Sequence, residues 1–318
     1  MHSETETGLA PAFVLLSPLP NWKGAGQPVA EGICIRRLLP TERAALETAD
    51  SPLRRDAGEA QRDGHWLTYE FENAYPADNV RYRRRQDAAF KLMLHAMYAV
   101  QILAPIGAAR VFLLYRKTAE GLDLCATQQR QPLIGSLWGR LCDTPASFEA
   151  DIPTLLERIH EAFRKPTLRL QIPVWLLEQG MAAPDRHIRI LLWATGLDAI
   201  TRSGGTAAFA ESLCHLLGAE THVFPPSAVR PRPKYKVRDV AEDLYQLRNE
   251  MAHGLPFHEK FRKKRGFLAE DGQPISEDLA NCRYDQALEE CAVFLLCRAL
   301  REVLLQNTVE DAPAEAES

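Results

Sequence analysis

The chain has 318 residues, 46% apolar and 25% charged, with a net charge of −4. The composition is ordinary for a globular protein, the length favours two domains over one large one, and the acidic total excludes a generic polyanion binder, so any nucleic-acid surface has to be local. Seven cysteines, scattered without CxxC pairing or neighbouring histidine ligands, exclude a disulfide framework and a zinc site and point to reduced core thiols.

The opening stretch MHSETETGLAPAFVLLSPLP carries no secretory-leader pattern. No apolar run approaches the ~20 residues of a membrane span. A soluble, cytoplasmic protein without a membrane partner is expected. In the first half, AFVLLSPL and GICIRRLL are candidate short strands, separated by a Gly24–Ala25–Gly26 turn. DGHWLTYEFENAY (63–75) is rich in β-branched and aromatic residues but alternates poorly. QDAAFKLMLHAMYAVQILAP (86–105) predicts a helix stopped by Pro105. ARVFLLYRKTAEGLDLCATQQ predicts a hairpin turning at Ala119–Glu120–Gly121. Residues 1–149 are therefore read as an α+β domain of unknown role, in sensing or substrate selection.

Beyond residue 150 the pattern becomes helical. Helices are expected over Asp151–Phe163, Leu168–Met181, Asp185–Arg202, Thr206–Leu217, Val237–His253 and Ser276–Gln306, with no strand signals. FPPSAVRPRPKYK (224–236) is a proline-rich connector. The expected organisation is an all-α domain over 150–309 and a disordered acidic tail over 310–318.

The helix ending LYQLRNEMAHG (244–254) is the most informative segment. At ~100° per residue, Val240, Leu244, Leu247 and Met251 share a core-facing stripe. Tyr245, Asn249 and His253 line the opposite side, and Arg248 lies between the faces. Gly254 suits a C′ position, which puts His253 in the last turn, where the helix dipole favours an imidazolium. A cation and a titratable ring on one rigid element suit binding a phosphodiester and moving its proton. An Arg five residues before a His is expected by chance about 0.8 times in such a composition, so the pair alone carries no weight.

Its context carries more. KVRDVAEDLYQLRNEMAHG resembles the RxxxxH signature helix of HEPN domains, specifically the LYxxRNxxxHG pattern of the Apea-like subgroup. RHIRILLWATGLDAITRSGG resembles that subgroup's other hallmark helix, usually written WxxLEaL, with Asp198 at its acidic position. The resemblance covers residues 150 to 307 and nothing before. It implies an all-α HEPN-like bundle and a metal-independent endoribonuclease without cofactor, active as a homodimer on RNA. It also implies a toxin or antiviral-defence setting, with an antitoxin or defence partner. Carried over by position, Arg248 and His253 are the catalytic pair and Asn249 their polar neighbour. Some members of the family have lost catalysis; the alternative is therefore an inactive HEPN module that binds RNA, nucleotide or a protein partner.

Asp198 is the only charged residue in 190–200. A carboxylate in so apolar a stretch needs a partner. Arg248, His253, a connector backbone or another arginine would serve. Tyr245 is a second supporting candidate. Residues 230–265 hold 11 Lys/Arg against 5 Asp/Glu. Arg238 precedes the signature helix, and Lys260, Arg262, Lys263, Lys264 and Arg265 follow it as candidate RNA contacts, with Tyr235, Phe257 and Phe261 available to stack on bases. VRYRRR (80–85) is a second basic cluster, read as either a phosphate contact or a solvated face. Trp193 is read as core. No histidine group has metal-ligand spacing, and no phosphate loop or nucleophile elbow occurs.

Overall fold

A computed structural model describes residues 11–19, 22, 25–48, 64–103, 111–129, 151–164, 170–223, 235–253 and 277–306. The chain divides into two units, one of residues 1–97 and 106–132 and one of 98–105 and 133–318. Residue 149, Gly24, residues 224–234 and the acidic end 310–318 lie outside the described residues.

The first unit is built on six strands: β1 (Ala12–Leu19), β2 (Gln27–Ala30), β3 (Ile33–Arg36), β4 (His65–Glu72), β5 (Val111–Lys117) and β6 (Leu122–Gln129). They form one sheet in the order β2-β3-β4-β1-β5-β6, every neighbouring pair antiparallel. Helices α1 (Pro40–Thr48) and α2 (Val80–Leu103) complete it.

Both sheet faces are covered, which explains the pattern of β4. Trp66, Leu67, Thr68 and Tyr69 are consecutive and all buried, because a central strand covered on both sides has no solvent side to mark with polar residues. On one face Val14, Leu16, Trp66, Leu113 and Tyr115 form a cluster with Leu38 and with Ala45 of α1. On the other, Tyr82 and Phe90 of α2 meet Phe13 and Phe112 edge-on, at centroid distances of 6.0 and 6.5 Å. The hairpin turns as expected: the Thr118 N–H donates to the Gly121 carbonyl at 2.9 Å. α2 begins earlier than the sequence pattern indicates, at Val80 instead of Gln86. Asn79 caps it, its Oδ1 accepting the Arg81 N–H at 2.8 Å.

The second unit is helical: α3 (Ile152–Arg164), α4 (Gln171–Ala182), α5 (Arg186–Thr201), α6 (Thr206–Leu217), α7 (Val237–Ala252) and α8 (Glu277–Leu305), joined by the last turn of α2. All six expected helices are present. The largest displacement is at the start of α4, Gln171 instead of Leu168.

α5 is the central element, packed against α4, α6, α7 and α8. Asp185 caps it, accepting from the His187 and Ile188 N–H groups at 2.9 and 3.0 Å. Small residues let its neighbours approach. Trp193 of α5 is fully buried and donates Nε1–H to the Leu177 carbonyl of α4 at 3.3 Å; its indole lies where a Cβ on Gly180 would stand. Gly196 lies close to Leu296 of α8, whose methyl carbons would be 3.1 Å from an added Cβ. A buried ion pair between Arg189 of α5 and Glu289 of α8 adds direction. The Arg189 Nη1 also donates to the Ala183 and Pro184 carbonyls, both at 2.9 Å. Among the described residues no helix is long and apolar enough to cross a membrane.

Gly180 tests this packing because two effects oppose each other. Helix propensity alone favours alanine over glycine by about 1 kcal/mol. The indole contact makes Gly180→Ala a forced overpacking, at a cost of about 1–3 kcal/mol. We expect net destabilisation in urea unfolding; a stabilised variant would show that α4 and α5 do not approach this closely.

Candidate functional site

α7 positions the signature residues, and its burial departs from a simple two-sided helix. Val240, Leu244 and Leu247 are buried as expected, whereas Met251 is only half-buried. Asp243 and Glu250 are buried as well, so the inward arc is wider than the apolar stripe alone. Tyr245 corrects the sequence expectation. It does not line an outward face: it is 7% exposed, its ring tilted against Phe209 of α6 at 5.0 Å. An aromatic there needs no second subunit to cover it, because α6 already does.

Arg248 follows Leu244 and Ala241 by one and two helical turns, and both of those are fully buried. Its guanidinium therefore leaves α7 on the inward side. There it meets three groups. Nη2 donates to Oδ2 of Asp198 on α5 at 2.8 Å, with 26% and 18% of the two side chains exposed. Nη1 donates to Oδ1 of the adjacent Asn249 at 2.7 Å. The guanidinium carbon lies 5.3 Å from the Tyr245 ring centroid, within cation–π range. Of the partners the sequence leaves open for Asp198, the structure selects Arg248.

The other Asp198 oxygen is engaged too. Ser203 Oγ donates to Oδ1 at 3.3 Å and shares a 3.0 Å hydrogen bond with Thr201 Oγ1. The turn holding Ser203 starts at Arg202, the C-cap of α5, which adopts a left-handed conformation (φ 52°) and donates its N–H to the Asp198 carbonyl at 2.8 Å. Ser203 and Phe209 are the site residues that sequence reasoning missed. The signal for Ser203 was its place just past a helix end, where a hydroxyl commonly bonds back to the last turn; Phe209 carried none beyond apolar spacing.

His253 stands apart. It is the C-cap of α7, exposed, with its N–H donating to the Asn249 carbonyl at 3.0 Å. Its imidazole makes no hydrogen bond or ion pair among the described residues. Five residues of helix separate it from Arg248, about 140° round the axis and roughly 7.5 Å along it. One chain thus offers an anchored cation on one side of α7 and an exposed imidazole on another.

Of the basic flank, Lys260, Arg262, Lys263, Lys264 and Arg265, together with Gly254, Phe257 and Phe261, lie outside the described residues. Arg238 is exposed at the start of α7 and pairs with Glu220 at 3.2 Å. Lys236 bonds the same carboxylate at 2.5 Å and holds it below its ordinary pKa. Burial pushes the nearby Cys214 thiol up. No cluster of His, Cys, Asp or Glu suited to a metal occurs among the described residues.

No family model matches the chain, and neither a curated protein nor a solved structure matches it.

If Asp198 and Arg248 hold α5 to α7, their loss is coupled. Asp198→Ala leaves a half-buried guanidinium without its carboxylate and is expected to cost about 1–2 kcal/mol. In a double-mutant cycle with Arg248→Ala the two losses fall short of adding by about 1 kcal/mol; strictly additive losses would mean the pair contributes nothing.

Proposed function

We propose that the helical unit is a metal-independent endoribonuclease of the HEPN type, acting as a homodimer with Arg248 and His253 as its catalytic pair. The observation that carries this reading is the 2.8 Å contact between Asp198 and Arg248. It unites the two segments, some fifty residues apart, that separately resemble Apea-like HEPN helices. Asn249 completes the same hydrogen-bonded group.

The chemistry requires no group beyond these side chains and the substrate. The ribose 2′-oxygen attacks the adjacent phosphorus as a base removes its proton. The bond from phosphorus to the 5′-oxygen breaks, and an acid protonates the departing oxygen. The products are a 2′,3′-cyclic phosphate and a 5′-hydroxyl. Each chain contributes one His253 imidazole at this helix end, so base and acid are the His253 residues of two copies related by a two-fold axis. Arg248 stabilises the charge that develops on the nonbridging oxygens. Asp198 and Asn249 orient it, since a planar guanidinium held by two acceptors presents its remaining N–H groups in one direction. The biological setting proposed is a toxin or antiviral-defence system, in the cytoplasm, with an antitoxin or defence partner.

The same ion pair also favours a second reading. A guanidinium engaged by Asp198 and Asn249 serves equally as a structural tie, which would leave an inactive HEPN module that binds RNA, nucleotide or protein. Cleavage of bulk RNA by purified protein in the presence of EDTA separates the two. We expect activity, reduced about 10²–10⁴-fold by His253→Ala and about 10²–10³-fold by Arg248→Ala, with His253→Ala unchanged in thermal stability. Binding without any cleavage, insensitive to His253→Ala, supports the inactive module. A chain that sediments as a monomer at assay concentration and still cleaves contradicts the paired arrangement.

A further inference from the structure

The first unit carries a basic surface that the proposed site does not use. Arg81, Arg83, Arg84, Arg85 and Lys91 of α2 are all exposed. Between Tyr75 and Lys91 the sequence holds two carboxylates, Asp78 and Asp87, and exposed Glu72 adjoins Arg85. No ion pair involves any of the four arginines or Lys91 among the described residues. At ~100° per residue, Arg81, Arg84, Arg85 and Lys91 fall within one arc of about 120°, beside the arc that holds the buried Ala89, Met93 and Ala96. They form a ridge about 15 Å long. Arg83 and Asp87 lie on its flank.

Two features make this more than a solvated face. Four arginines in the first turns oppose the dipole of their own helix, so they detract from the stability of the element that carries them. They are also interleaved with aromatic rings. The Arg81 guanidinium lies 5.8 Å from the ring centroid of Tyr75, itself 40% exposed. That of Arg85 lies 5.9 Å from Phe71, and its Nε donates to the Glu72 carbonyl at 3.4 Å. The helix-terminal amides are not the binding feature, since Asn79 already accepts the Arg81 N–H. What is presented is a row of three guanidiniums and an ammonium beside an exposed ring, the combination that engages the phosphates and unpaired bases of a single strand.

We propose that the Arg81–Arg84–Arg85–Lys91 ridge with Tyr75 is a docking surface for single-stranded RNA, separate from the Arg248–His253 site. The ridge supplies phosphate contacts and Tyr75 a stacking platform. This inference takes its ligand from the ribonuclease reading above, and it assigns the first unit a part in substrate capture.

The test uses the full chain carrying His253→Ala, so that RNA is not consumed, and a fluorescein-labelled oligouridylate as probe. Fluorescence anisotropy gives Kd over a range of salt concentrations. Adding Arg81→Gln, Arg84→Gln and Lys91→Gln together is expected to weaken binding at least 10-fold at moderate salt. The slope of log Kd against log salt should flatten by about 2, at roughly 0.7 per lost phosphate contact. Arg84→Gln alone should flatten it by about 0.7, which keeps the test open if the triple variant folds poorly. Tyr75→Ala should weaken binding several-fold without changing the slope. Removing cations that oppose the helix dipole should leave the melting temperature unchanged or raised, whereas a structural role for them would lower it.

Unchanged affinity and slope in both arginine variants overturn the proposal. So does binding that goes to phosphatidylserine vesicles in place of the oligouridylate with the same dependence on the three cations. If RNA cleavage in EDTA is absent but the ridge variants lose RNA affinity, the docking surface stands and the ribonuclease reading falls.

Discussion

Arg248 leaves α7 toward the interior of its own bundle, and a guanidinium placed there has to find a carboxylate, because a half-buried charge without one is strongly disfavoured. Asp198, in the last turn of α5, is that carboxylate. α5 is in turn seated by the close approach of Gly180 to Trp193, by Gly196 against Leu296 and by the Arg189–Glu289 pair. The position of the guanidinium is therefore determined by the packing of the whole helical unit. Ser203 and Asn249 take up hydrogen-bonding capacity that Asp198 and Arg248 leave over.

The contrast with His253 gives the site its character. One basic group is anchored by three neighbours; the other projects from a helix end and is exposed. Charge stabilisation benefits from a fixed donor, since no reorganisation is then needed as charge develops. Proton transfer needs a group accessible to the reacting oxygen. Because the two lie on different sides of one helix, a second copy of the chain is the economical way to bring an imidazole and a guanidinium to one phosphodiester, and on this ground the proposed function is dimeric.

Much of the second unit was readable in the sequence because its helices have clear caps and breaks. Asp185 before α5, Pro105 after α2 and the proline-rich connector before α7 are local signals whose physics operates within a few residues. The hairpin turn near Gly121 was readable for the same reason. Three features were not. β4 lacks alternation because both of its faces are covered, which depends on α1 and α2 and not on β4 itself. α2 starts six residues early because Asn79 caps a run of arginines that has no apolar period. Tyr245 shares its i, i+4, i+8 spacing with Asn249 and His253, which points it away from the core stripe; Phe209, thirty-six residues away, packs on it instead. The partner of Asp198 could be narrowed from sequence but not chosen, since the choice depends on how α5 and α7 cross.

The central claim is that the substrate's own 2′-hydroxyl is the nucleophile, and the chemistry of the cut ends tests it most directly. Mass spectrometry of products from an oligoribonucleotide cleaved in EDTA is predicted to show 2′,3′-cyclic phosphate and 5′-hydroxyl ends, with no cut at a position carrying a single 2′-deoxy substitution. Cleavage that continues through the 2′-deoxy position and leaves 3′-hydroxyl and 5′-phosphate ends would require water as the nucleophile and would contradict the account.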